Sequence, residues 1–124
     1  MIRRRKAGLL ALMALAWPWA TAHASEDGAI AYNTHCRTCH SLRPGDHRLG
    51  PSLAGIFGAS AGQAEGYRGY SGAFDGLVWD ETTLDRLLAD PASVSSSTNM
   101  IFPPVSDPAK RRQIIEFLKS IKGS

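Results

Sequence analysis

Beyond its opening residues, the chain places apolar side chains at helical spacing in three stretches. From Asp27 to Thr38, the apolar positions of a first predicted helix are Ala29, Ile30 and Tyr32. From Asp80 to Ala89, Leu84, Leu87 and Leu88 stand three and four apart. Asp80 is placed to cap that helix and Asp90-Pro91 to stop it. The clearest pattern runs from Asp107 to Ile121. Asp107 can cap it, Pro108 suits a first helical turn, and Ile114, Ile115, Phe117, Leu118 and Ile121 make a broad apolar stripe. Lys119 and Lys122 complement the negative end of its dipole. Between the first and second helices, Gly45 to Gly76 is rich in glycine and shows no alternation of apolar and polar residues. It predicts no strands, with a short helix near Pro51 to Phe57. A loop of about thirty residues is uncommon in a compact domain unless it has something to wrap. The fold class expected is therefore mostly α.

The first residues follow a different logic. A basic start, Met-Ile-Arg-Arg-Arg-Lys, leads into an apolar run from Leu9 to Trp19 and then Ala22-His23-Ala24, a small-x-small cleavage site. This is the layout of a secretory signal peptide. The run is about half the ~20 residues a bilayer span needs, and Pro18 interrupts it. Residues 1–24 are expected to be a leader cleaved after Ala24, with 25–124 as one domain, periplasmic or otherwise exported. The leader takes four of the 14 Lys and Arg residues and none of the 11 Asp and Glu residues. The remainder has ten basic against eleven acidic residues, a formal charge of −1 in place of +3. The basic balance of the full chain belongs to the leader and gives no reason to expect nucleic acid or an anionic membrane as a partner.

The chemistry lies in Cys36-Arg37-Thr38-Cys39-His40. C-x-x-C-H is the attachment signal for c-type haem. On a helical turn, residues three and four apart share a face. Cys36 and Cys39 can then reach one edge of a porphyrin, and His40 can present its imidazole to the iron. A redox-active C-x-x-C would follow a strand, and no strand pattern precedes Cys36. A zinc site would need a further ligand, and neither His35 nor His47 lies in the usual second knuckle. For the second axial position the candidates are Met100, His35 and His47. Met100 is the only methionine after the leader and lies in a small, polar, Pro-bounded loop, Ser95 to Pro104. It is the expected ligand, since iron in electron carriers is commonly held by His and Met.

Taken together, residues 25–124 resemble class I cytochrome c, in the branch of the mitochondrial protein and its bacterial relatives. Beyond the haem motif the resemblance rests on Gly28 and Tyr32 in the first helix, Gly50-Pro51-Ser52-Leu53-Ala54-Gly55-Ile56-Phe57-Gly58, Trp79 to Leu84, and Asn99-Met100-Ile101-Phe102. Ile114 and Phe117 stand where the last helix should cross the first. The resemblance implies the cytochrome c fold: three main helices and Gly/Pro-rich loops around one covalently bound haem c. It implies that Gly28 admits the last helix, that the Pro51 carbonyl orients His40, and that Tyr70 and Trp79 reach a haem propionate.

The function it implies is one-electron transfer without enzymatic turnover. The partners would be redox proteins: a membrane respiratory complex, an oxidase or a periplasmic dehydrogenase, with membrane contact only through them. The alternatives are a peroxidase-like haem enzyme, or a gas-binding module whose Met100 swings away. Some positions depart from the family. Ala59 replaces a frequent Arg, Leu87 a frequent Tyr, and Ser96 and Ser97 a Pro-Gly pair. Ala92, Ser93 and Asn99 stand where the mitochondrial protein has lysines. Docking is accordingly expected to use apolar contacts, among them Ala92, Ile101 and Pro103.

Overall fold

The computed structural model describes residues 8, 11–14 and 19–123. Of the expected leader, residues 1–7, 9–10 and 15–18 lie outside that set. The elements, in chain order, are α1 (Trp19–His35), α2 (Glu81–Ala89), α3 (Pro91–Val94) and α4 (Pro108–Ser120). Among the described residues there is no strand, only an isolated antiparallel bridge between Ser60 and Val78. None of these helices is long and apolar enough to cross a membrane.

Both predicted aspartate caps form. The Asp80 carboxylate accepts from the Thr83 N–H at 2.8 Å, and that of Asp107 accepts from the Ala109 N–H at 2.9 Å. Each satisfies a donor that the first helical turn leaves open. The first helix differs from its predicted range. It begins at Trp19 and ends at His35, three residues short of Thr38. The haem motif itself is a turn: the N–H groups of Cys39 and His40 both donate to the Cys36 carbonyl, at 3.2 and 3.1 Å. No helix forms over Pro51 to Phe57. The Leu53 N–H goes instead to the Ser41 carbonyl at 2.9 Å, and Gly55 takes φ +67°. Conversely, Pro91 does more than stop α2: with its φ preset for a helix, it begins the single turn of α3.

Helices α1 and α4 cross at Gly28. A Cβ there would lie 2.8 Å from both the Gln113 carbonyl oxygen and the Phe117 Cβ, so only glycine permits the approach. Beside the crossing, the Tyr32 and Phe117 rings stand 5.4 Å apart, and Ile114 is fully buried. Helix α2 packs against α4 and adds Leu84, Leu87 and Leu88 to the same core. Its polar side is tied to α4 by Arg111–Asp85 at 2.7 Å and Lys119–Glu81 at 3.2 Å. The long loop is folded back on itself by backbone bonds from Gly58 to Trp79 and from Ala61 to Leu77, each 2.8 Å. Helices thus supply one side of the core, and loops wrap the other.

Candidate functional site

Where helices and loops meet they leave a cavity of about 380 Å³. Cys36, Cys39, His40, Pro51, Tyr70, Trp79 and Met100, the seven residues singled out from the sequence, all line it. They come from the motif turn, the long loop and the Met loop, which are far apart in the chain. Most of the remaining lining is apolar, including Leu84, Leu87, Leu88, Ile114 and Leu118. Its volume lies in the range of sites that enclose a cofactor-sized ligand.

His40 is buried, and its Nδ1–H donates to the Pro51 carbonyl at 2.7 Å. That bond fixes the tautomer and leaves Nε2 as the nitrogen with a free lone pair. Burial holds its pKa below the ordinary histidine value, and the bond to Pro51 offsets this only in part. The imidazole is therefore neutral, as a metal ligand must be. Two more bonds set the motif turn: the Tyr32 hydroxyl donates to the His40 carbonyl at 3.1 Å, and the Gly50 N–H to the Cys39 carbonyl at 2.8 Å. Gly50 has a further role. A Cβ on it would run into the His40 ring, so the preceding glycine is what lets Pro51 approach.

Neither cysteine is in a disulfide. Burial, and after it the neighbouring Cys39, pushes the Cys36 thiol up to about 11. A thiol–disulfide centre needs the opposite, a stabilised thiolate. Among the described residues no three His, Cys, Asp or Glu side chains group as a metal site, which leaves the zinc reading without its donors.

The three candidates for the second axial position separate. Met100 is half-buried on the cavity wall, and its N–H donates to Thr98 Oγ1 at 3.0 Å. Its loop is tied across to the long loop by Asn99 Nδ2–H donating to the Gly69 carbonyl at 3.0 Å. His47 is absent from the lining, and both its nitrogens are engaged: Nε2–H donates to the Glu65 carbonyl at 2.7 Å, and Nδ1 accepts from the Ser52 N–H at 3.0 Å. His35 lines the cavity from an exposed position at the end of α1.

Trp79 is buried with its indole on the cavity, packed edge-on to Phe74 at 5.2 Å. The Tyr70 hydroxyl accepts from the Ala64 N–H at 3.0 Å, so its own proton remains available to an acceptor. Tyr67, not anticipated from the sequence, also lines the cavity. Its hydroxyl donates to the Leu49 carbonyl at 2.7 Å, and its ring meets Tyr70 at 4.7 Å. Its sequence signal, one aromatic in a Gly-rich run, says nothing of a partner eighteen residues away. At the mouth, Leu49 and Ile101 are 78% and 89% exposed, a marked exposure for large apolar residues.

No family model matches the chain. Individual proteins do. A cytochrome c2 iso-2 from Magnetospirillum molischianum is 41% identical over 91 residues, covering 72% of this chain and 93% of that protein. A cytochrome c2 from Rhodoplanes tepidamans is 37% identical over 100 residues, 78% of this chain and all of that one. Among solved structures, cytochrome cH from Methylobacterium extorquens matches with a TM-score of 0.70 and 39% identity, covering 77% of this chain and 97% of its own.

Proposed function

The chain belongs to the class I cytochrome c family, a carrier of electrons with one covalently bound haem c, and from that premise we propose how its residues serve that role. Cys36 and Cys39 would hold the haem through thioethers, His40 and Met100 would ligate its iron, and Trp79 and Tyr70 would lie at its propionates. The protein is exported, works in the periplasm, and passes electrons between redox proteins without catalysing a reaction of its own.

The observation that carries this reading is the meeting of both cysteines, His40 and Met100 on one apolar cavity of about 380 Å³. Haem fits that donor set: two thiols for covalent attachment, a neutral imidazole with its other nitrogen tied back, and a thioether. When bound, the haem supplies a one-electron couple. The chain's own residues do the rest. The Pro51 carbonyl holds the His40 ring in one orientation and strengthens it as a donor. The leucines of α2, with Ile114 and Leu118, keep water out, so that the iron environment is apolar and the ferrous form is favoured. The exposed Leu49 and Ile101 offer an apolar landing place for a partner at the cavity mouth, and Ala92 and Pro103 are exposed as well.

A peroxidase-like reaction would need an acid–base group beside an open iron position. Among the described residues no carboxylate lines the cavity, and the imidazoles on it are His40 and the rim residue His35. The test of attachment is the double variant Cys36→Ser, Cys39→Ser. It should give no haem-staining band at the mass of the chain on a denaturing gel. A stained band in that variant would sink the assignment.

A further inference from the structure

Behind the motif turn lies a second, open cleft of about 250 Å³, lined by Tyr32, Asn33, Arg37, His40, Leu42 and three arginines in all: Arg37, Arg43 and Arg48. This is an unusual concentration. The chain beyond the expected leader carries ten basic and eleven acidic residues, yet three of the ten meet here. The cleft brings one carboxylate near, that of Asp46, and it pairs with Arg48 at 3.3 Å. Arg37 and Arg43 form no ion pair among the described residues. Elsewhere among the described residues, Arg111 and Lys119 each hold a carboxylate. The local surplus is thus two positive charges on two walls, the motif turn and the segment from Arg43 to Arg48.

We propose that this cleft is a binding site for a multivalent oxyanion of the phosphate class. Guanidinium groups present planar forks of N–H donors that match tetrahedral oxyanions. All three are exposed and solvated, so a single pair with a monovalent ion gains little. A multivalent anion engages several together, and the Asn33 amide adds a neutral donor at the rim.

The site is coupled to electron transfer by position. His40 belongs to the walls of both the cleft and the main cavity, and Arg37 stands between the two cysteines. A bound anion stabilises the more positive, oxidised state, and by linkage the oxidised protein binds the anion more tightly. This coupling rests on the haem assignment above; the binding site does not.

The test titrates the reduced, haem-loaded protein with pyrophosphate at ionic strength held constant with sodium chloride, followed by 15N NMR. Saturable shifts at Asn33, Arg37, Arg43 and Arg48 are expected. Arg43→Gln should weaken binding about five-fold or more, as expected for losing a charge-assisted contact. Arg112→Gln, at the exposed start of α4, should leave it unchanged. Shifts that do not saturate, or equal binding by Arg43→Gln, would overturn the site. So would saturation by polyglutamate but not by pyrophosphate, which would mark the cleft as a docking face for acidic proteins. Midpoint potentials with and without saturating pyrophosphate read the coupling: a fall supports it, and no change with the cleft filled overturns it while leaving the haem assignment intact.

Discussion

A methyl group on Gly28 interrogates the crossing of α1 and α4, because two effects of opposite sign compete there. In an unobstructed helix, Gly→Ala stabilises by about 1 kcal/mol through lower backbone entropy and better propensity. Here the new Cβ would stand 2.8 Å from the Phe117 Cβ and 2.8 Å from the Gln113 carbonyl oxygen. Carbon atoms in good contact sit about 3.5–4.0 Å apart, so α4 would have to withdraw by roughly 0.7 Å. One of the opposing atoms is backbone and the other is the stem of a side chain, so neither can swing away. The withdrawal would loosen Ile114 and the Tyr32–Phe117 pair at the same crossing. Overpacking of this kind costs about 1–3 kcal/mol. Set against the propensity gain, the net expectation is a loss of about 1 kcal/mol, or a fall in Tm of about 4–8 °C for a domain of this size. Guanidinium unfolding of the haem-loaded protein, followed by far-ultraviolet circular dichroism, measures it. A Gly28→Ala protein as stable as its parent, or more so, would refute the close approach, since propensity alone predicts that sign.

Met100→Ala should open an iron position, lower the midpoint potential and let cyanide or carbon monoxide bind readily, as loss of the thioether requires; an unchanged potential would turn attention to His35. The Asp80 carboxyl is held below the usual range by its bond from the Thr83 N–H. Its stabilisation of α2 is complete above the unfolded value of about 3.9 and fades as pH falls through the lower folded value. Asp80→Asn keeps a capping oxygen without the charge. Any stability gap between the two proteins at pH 6 should therefore close in acid, and a gap in Tm that persists unchanged at pH 2 would contradict the cap.

What could be read in advance followed from how local the cause was. Helices α2 and α4 start where Asp80 and Asp107 predict, since a cap and a leucine or isoleucine stripe act within a few residues. The haem motif is equally local, because Cys36, Cys39 and His40 share one turn. Pro51, Tyr70 and Trp79 were reached only through resemblance to a family, as nothing in their spacing specifies a common cavity. The short helix expected near Pro51 did not form because Ser41, twelve residues before Leu53, captures its backbone. The Tyr67–Leu49 and Asn99–Gly69 bonds span eighteen and thirty residues between loop segments. Such pairings depend on how the loops fold back. The arginine cleft is hidden for the same reason: Arg37 and the Arg43–Arg48 segment come together only once the motif turn has formed.

The account depends most on haem being joined to the chain through Cys36 and Cys39. Mass spectrometry of the denatured, protease-digested protein, purified from cells that assemble c-type haem, addresses this directly. The peptide containing Cys36 to His40 should carry the mass of one haem, and acid extraction should leave it in place. Haem that leaves with acid, or a Cys36–His40 peptide of unmodified mass, would contradict the central claim.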